Sequence, residues 1–335
     1  MKHDTYQKTA YLDILRWFAI GAVVMLHVTS GVLDTIPKQM SAQQKNIYEM
    51  IKNMMAIGVP VFLMISGSLF LNPGKEVTIE KILKRYVPRI LLALFLFGVP
   101  FAIMELIVKQ GGFSPMMPVQ GFLLTVSGKT WAHMWYLYEL VGIYLLTPFI
   151  KLVVNYGGRR FIQYGLILGF LFNGLLPFIE QICDIHVGIV YQLSGIYVFY
   201  YVLGHYLHQY GTLDWRWCAG VLGVLEGCII LNGLLGGGIV LKYDSPIIAI
   251  AAAALFLMFR NRGKESIFLS TKRNICFGIY LVHPFFLNVS YKLFHITPLK
   301  IGYGGILVFW ALAFSLSLIV SAIMQKIPPL RKYVV

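Results

Sequence analysis

Arg16 and His27 stand eleven positions apart in a run, Tyr11 to His27, that is otherwise almost wholly apolar. On a helix, eleven steps of about 100° end about 20° past three full turns, so the two side chains share one face, about 16 Å apart along the axis. Asp13 falls on that face one turn below Arg16. An ionisable group inside a membrane span costs about 2–3 kcal/mol or more, which makes each one a site candidate. A neutral His27 could act as a general base toward an attacking hydroxyl. A guanidinium near the membrane surface suits a phosphate. The plainer alternatives are an interfacial Asp13–Arg16 ion pair that fastens the helix end, and a His27 that hydrogen-bonds to a neighbouring helix. Asp13 lies about 21 Å below His27 along the axis, too far to orient it.

A carboxylate nearer the level of His27 is Glu139, the expected partner that would stabilise the imidazolium. Tyr280 and His283 stand one turn apart in Tyr-Leu-Val-His, a second polar pair on one helix face. The segment from Gly74 to Arg89 carries Lys81, Lys84, Arg85 and Arg89. On an α-helix Lys81, Arg85 and Arg89 stack at i, i+4 and i+8, a cluster that could hold the phosphates of a cytosolic ligand or meet lipid headgroups. Ser66, Gly67 and Ser68 allow close helix approach. Trp135 and Tyr136, in His133-Met-Trp-Tyr-Leu137, are expected at the outer interface as part of an aromatic belt. Glu105 reads as interfacial. Cys183, Cys218, Cys228 and Cys276 form no C-x-x-C pair and read as packing residues, so no metal site is expected.

The elements that must position these groups follow from composition. Of 335 residues, 58% are apolar and 13% charged. A soluble domain carries roughly twice that charged fraction. A soluble enzyme, a disordered chain, a disulfide scaffold and a nucleic-acid-binding domain are thereby excluded. The reading is an all-α polytopic membrane protein. About ten spans of about 20 residues are expected. They fall at 11–33, 54–72, 86–108, 131–153, 161–180, 187–209, 215–235, 244–260, 274–295 and 303–326. The net charge of +14 is gathered in short segments between spans, where it sets topology and touches membrane lipids. With the N-terminus inside, inner segments hold 19 Lys and Arg and outer ones 8, so both termini are expected to face the cytoplasm. Residues 1–335 read as one membrane domain with no appended soluble domain.

Four motifs in order carry a resemblance: Leu12-Asp13-x-x-Arg16 followed by His27, Phe62-Leu-Met-Ile-Ser-Gly-Ser-Leu69, His133-Met-Trp-Tyr-Leu137 and Phe277-Gly-Ile-Tyr-Leu-Val-His283. Together the chain resembles the acyltransferase 3 family of integral-membrane acyltransferases. Its length and motif wording look most like the enterobacterial common antigen O-acetyltransferase branch. The resemblance implies ten helices and transfer of an acyl group, usually acetyl. The implied donor is cytosolic acyl-CoA, used as a substrate with no permanently bound cofactor. The implied acceptor is an envelope carbohydrate or related hydroxyl, such as a lipid-linked sugar. The family's essential arginine and histidine fall on Arg16 and His27.

With those roles, Arg16 and the Lys81, Lys84, Arg85, Arg89 cluster would bind the phosphates of CoA. The pantetheine arm would pass Tyr280 and His283, and His27 would deprotonate the acceptor. Asp13, Ser66, Trp135 and Tyr136 would support the site. The competing reading is a secondary transporter or flippase that uses the buried His, Arg and Glu as a proton relay. Broken helices in two matching halves would favour it, and glycines crowd only residues 233–238.

Overall fold

The computed structural model describes residues 10–188, 195–237, 239–262 and 275–334. Lys2, Lys8, Lys264, Lys272 and Arg273, five of the inner basic residues, lie outside the described residues, as do parts of the expected spans at 187–209 and 274–295.

Among the described residues the chain is helical and has no strand. The longer helices are α1 (Ala10–Thr35), α2 (Ala42–Met55), α3 (Gly58–Phe70), α4 (Val87–Gln110), α5 (Met117–Val126), α6 (Trp135–Phe170) and α7 (Leu176–Cys183). They continue with α8 (Ile196–Tyr210), α9 (Trp215–Leu234), α10 (Pro246–Arg262), α11 (Ile275–Asn288), α12 (Gly304–Met324) and the short α13 (Pro328–Tyr333). Local chemistry sets several boundaries. Ser41 and Gln44 close a capping box at the start of α2. Asp214 accepts from the Arg216 amide at the start of α9. Gly111, with φ of 72°, ends α4 in the left-handed conformation that glycine adopts without strain.

Among the described residues six helical stretches are long and apolar enough to cross a membrane: Ala10–Thr35, Ala42–Phe70, Ile79–Gln110, Ala132–Cys183, Trp215–Leu234 and Gly304–Met324. The protein is a multi-pass, all-helical membrane protein. The expected spans at 131–153 and 161–180 share one stretch of 52 residues. Gly158, with φ 69° and ψ 176°, breaks its helical geometry. The expected spans at 187–209, 244–260 and 274–295 fall on shorter helices, α8 of 15 residues, α10 of 17 and α11 of 14. A π turn, Val289–Leu293, prolongs α11. The helix that carries residues 54–72 begins earlier than expected, because α2 leads almost directly into α3.

The chain forms two compact units. The first takes Met1–Glu76 and Phe149–Arg273, and the second takes Val77–Pro148 and Asn274–Val335. In the first unit, α3 and α8 make their closest approach where small residues meet. A Cβ on Gly67 would lie 1.7 Å from the Tyr201 carbonyl oxygen, and one on Gly204 would lie 2.1 Å from that of Met64. Ser68 Oγ, beside Gly67, lies 2.8 Å from the Met64 carbonyl and 2.9 Å from that of Gly204. Backbones this close gain dispersion contacts over their whole length, the packing that membrane helices rely on. The buried Lys151 donates to the carbonyls of Phe70 (3.3 Å) and Asn72 (2.7 Å). Its charge thereby satisfies the orphan acceptors and the negative dipole end of α3.

In the second unit, α11 and α12 lock similarly. Ser321 Oγ donates to the Ile275 carbonyl at 2.8 Å and fills the space a Cβ on Gly278 would need. Glu105 on α4 accepts from Trp131 Nε1 (3.2 Å) and Lys292 Nζ (2.7 Å), joining three segments that are far apart in sequence.

Candidate active site

Helix α1 runs without interruption from Ala10 to Thr35, so the single-face relation of Asp13, Arg16 and His27 follows directly from helical geometry. The Arg16 guanidinium donates to the Asp13 carboxylate one turn away. Asp13 is buried and Arg16 half-buried. Farther along, His27 Nδ1 lies 2.8 Å from the Val23 carbonyl oxygen. A carbonyl only accepts, so Nδ1 carries the proton and the neutral ring keeps its lone pair on Nε2. At Nδ1 the imidazole is thus oriented by its own helix backbone.

Tyr11, at the start of α1, pairs its hydroxyl with His208 Nδ1 at 2.6 Å. Arg260 Nε donates to the His208 carbonyl at 3.0 Å, and its Nη1 donates to the Gly211 carbonyl. The ends of α1, α8 and α10 in the first unit are therefore joined by polar contacts that the sequence did not single out.

The second unit gathers a different set. His283 is fully buried, and its Nδ1 lies 3.0 Å from the Ile279 carbonyl, the same backbone-fixed arrangement as in His27. The Tyr280 hydroxyl donates to the His133 carbonyl. The His133 ring centroid lies 5.7 Å from that of Tyr280 and 5.8 Å from that of His283. The Tyr136 ring packs edge-on 5.7 Å from Tyr280, and Trp131 stacks on Phe101 at 4.2 Å. A 3-10 turn, Ala132–Met134, carries His133 into this cluster. His133 is only 2% exposed; its motif is visible in the sequence, but its place beside Tyr280 and His283 is not.

Several expectations change. Tyr136 is buried in this aromatic cluster, while Trp135 is half-buried beside it. Ser66 hydrogen-bonds to the Phe62 carbonyl of its own helix at 3.0 Å, so Gly67 and Ser68 make the close approach without it. The basic segment is not a plain α-helix. After the single turn Ile79–Lys81, residues Ile82–Tyr86 form a π turn. A π turn rotates less per residue, so the step from Lys81 to Arg85 falls short of a full turn instead of passing it. Lys81, Lys84 and Arg85 are exposed, and Lys84 pairs with Glu80 at 2.8 Å. Arg89 turns inward, and its Nε donates to the Val334 carbonyl at 3.0 Å. It therefore ties down the C-terminal helix α13.

Glu139 is half-buried in α6 and makes no hydrogen bond or ion pair among the described residues. Cys218 and Cys276 are buried, as packing residues would be, whereas Cys183 and Cys228 are exposed. Among the described residues no group of three or more His, Cys, Asp or Glu is placed to hold a metal ion.

No curated protein and no solved structure matches this chain. A family model does, over residues 9–326, and it is described as an acyltransferase domain. That match takes in α1 through α12, with Arg16, His27, Glu139, His133, Tyr280 and His283 all inside it. The chain accordingly belongs to the acyltransferase 3 family and is a membrane acyltransferase.

Proposed function

We propose that the protein is an O-acyltransferase that takes an acyl group, acetyl in the first instance, from cytosolic acyl-CoA. The acceptor is a hydroxyl of an envelope carbohydrate or lipid-linked sugar on the outer side of a bacterial cell membrane. About ten spans with both termini in the cytoplasm fit the bias of basic residues toward inner segments, and residues 1–335 act as one catalytic domain. In length and motif wording the chain resembles the enterobacterial common antigen O-acetyltransferase branch.

The observation that carries the reading is the orientation of His27. A neutral imidazole whose Nδ1–H is held by the Val23 carbonyl presents Nε2 as a fixed base within an apolar helix. The acceptor hydroxyl gives its proton to Nε2 as its oxygen attacks the thioester carbonyl. The carbon–sulfur bond then breaks, and the departing thiolate of CoA takes that proton from Nε2, which returns His27 to its neutral form. Glu139, with no partner of its own among the described residues, is suited to stabilise the transient imidazolium. Arg16, on the same helix face and about 16 Å lower, holds donor phosphate, aided by the exposed Lys81, Lys84 and Arg85. Arg89 shapes that surface from within. Tyr280 and His283 line the path of the donor arm.

The test is transfer from labelled acetyl-CoA by purified protein in lipid, wild type against His27→Ala. Loss of a general base lowers the rate by about 10²–10⁴-fold, with little change in the donor KM. Undiminished transfer by His27→Ala would refute the assignment.

A further inference from the structure

We propose that the first unit carries a specific site for an acidic glycerophospholipid, with one acyl chain in an apolar groove and the phosphate at Arg159 and Arg160. The groove is open along one side and has a volume of about 690 Å³ between the second part of α6, α8 and α10. It is lined by Leu166 and Phe170 of α6, Phe199 and Leu203 of α8, and the small side chains of Ala249 and Ala253 of α10, termed its floor. Pockets that hold small ligands span roughly 300–1,000 Å³, so the volume suits one lipid chain.

The polarity along the groove is graded. At one end Gln163 Nε2 donates to the Tyr206 hydroxyl at 2.6 Å. One turn farther on each helix, the Arg159 guanidinium lies over the Tyr210 ring at 5.3 Å. Arg159 and Gln163 share a face of α6, and Tyr206 and Tyr210 share a face of α8, because each pair is four residues apart. The order is therefore cation, neutral hydrogen-bonding rung, apolar channel. That is the order of phosphate, glycerol ester and acyl chain in a phospholipid.

Charge complementarity selects the headgroup. None of the three helical segments, 159–170, Ile196–Tyr210 and Pro246–Arg262, contains an aspartate or glutamate. The same end collects Arg159 and Arg160, both exposed, and Arg260, whose guanidinium is held by the carbonyls of His208 and Gly211. The break at Gly158 makes Arg159 and Arg160 the opening residues of a helical segment, where free amides and the positive dipole end also favour an anion. Cations on an amino-terminal turn oppose that dipole, an arrangement that an anion between them relieves.

The experiment is native mass spectrometry of the full chain extracted from vesicles of equal phosphatidylglycerol and phosphatidylcholine. Each cation beside an acidic headgroup is worth about fivefold in binding. The wild type should retain phosphatidylglycerol in preference by about 25-fold on that basis. R159Q/R160Q, a change of exposed residues, should bring the two lipids to near parity while a chain still occupies the groove. Ala253→Phe, which fills the floor, should remove the retained lipid of either kind. Equal retention of both lipids by the wild type would overturn the proposal, as would an unchanged preference in R159Q/R160Q. A groove occupied by a second copy of the chain, seen as a lipid-free dimer, would overturn it as well. If Ala253→Phe does not fold, the arginine pair still decides the question.

Discussion

In the proposed function Arg16 has two jobs that can be separated. It neutralises Asp13 on its own helix, and it is assigned to the donor phosphates. The side chains of Arg16 and Asp13 are 17% and 9% exposed, respectively. A fully exposed pair contributes about 0–1 kcal/mol, and removing one partner of a fully buried pair costs about 3–5 kcal/mol. This pair lies between those limits, so Arg16→Gln alone should destabilise the protein by about 2 kcal/mol. The double variant Asp13→Asn/Arg16→Gln removes both charges and keeps an amide on each side. It should recover stability to within about 1 kcal/mol of wild type. Activity should not return with it. A charge-assisted bond to phosphate is worth about 1.5–3 kcal/mol, so the KM for acetyl-CoA should stay raised at least tenfold in both variants. The assays are thermal unfolding in detergent and initial rates across a range of acetyl-CoA concentrations. If the double variant regained both stability and the donor KM, Arg16 would be a helix fastener alone, and the donor would be held elsewhere.

Other substitutions read other parts of the molecule. Tyr280→Phe removes the bond to the His133 carbonyl and should cost about 0.5–1.5 kcal/mol of stability. Because that bond positions the 3-10 turn carrying His133, kcat should fall more than stability accounts for, measured at a temperature well below unfolding. Gly67→Ala puts a Cβ 1.7 Å from the Tyr201 carbonyl, and a Cβ has no rotamer by which to escape. The helices must part, which should lower stability by more than about 3 kcal/mol and reduce the yield of monodisperse protein in detergent. Ser66→Ala, one residue away but bonded only within its own helix, should change stability by less than about 1 kcal/mol.

What could be read in advance was whatever depends on the neighbours of a residue along one helix. The face shared by Asp13, Arg16 and His27 needs only the helical period, and α1 is continuous over all of it. The Tyr280–His283 pair follows from the same period. The long apolar runs pointed to membrane helices. Contacts that join distant segments left no such trace. Nothing near Arg89 signals that its partner is the carbonyl of Val334, 245 positions away. Nothing near Lys151 marks it as the cap of α3 and not one more inner-surface charge. Tyr136 has the composition of an interfacial aromatic, and only the arrival of Tyr280 beside it makes it a core residue. The π turn at Ile82–Tyr86 and the break at Gly158 are departures of a single turn, below what a hydrophobic period can resolve.

The orientation of His27 also answers a question raised by its sequence context. A soluble hydrolase commonly holds its catalytic imidazole with a carboxylate, which fixes the tautomer and stabilises the cation that forms. The Val23 carbonyl can fix the tautomer by itself, because it is already present in the helix and uses its spare lone pair. His283 and the Ile279 carbonyl repeat the arrangement in the second unit. Orientation by the backbone does not supply a countercharge, so stabilisation of the imidazolium has to come from a separate group. In the proposed function that role falls to Glu139 and not to Asp13, which is already engaged with Arg16. Replacing Glu139 with Gln should therefore slow transfer while leaving His27 in place, whereas replacing His27 removes the base itself. Measured together, His27→Ala/Glu139→Gln should be no slower than His27→Ala alone, since a stabiliser has nothing to stabilise once the imidazole is gone. Additive losses in that cycle would show that the carboxylate serves some step other than proton transfer to His27.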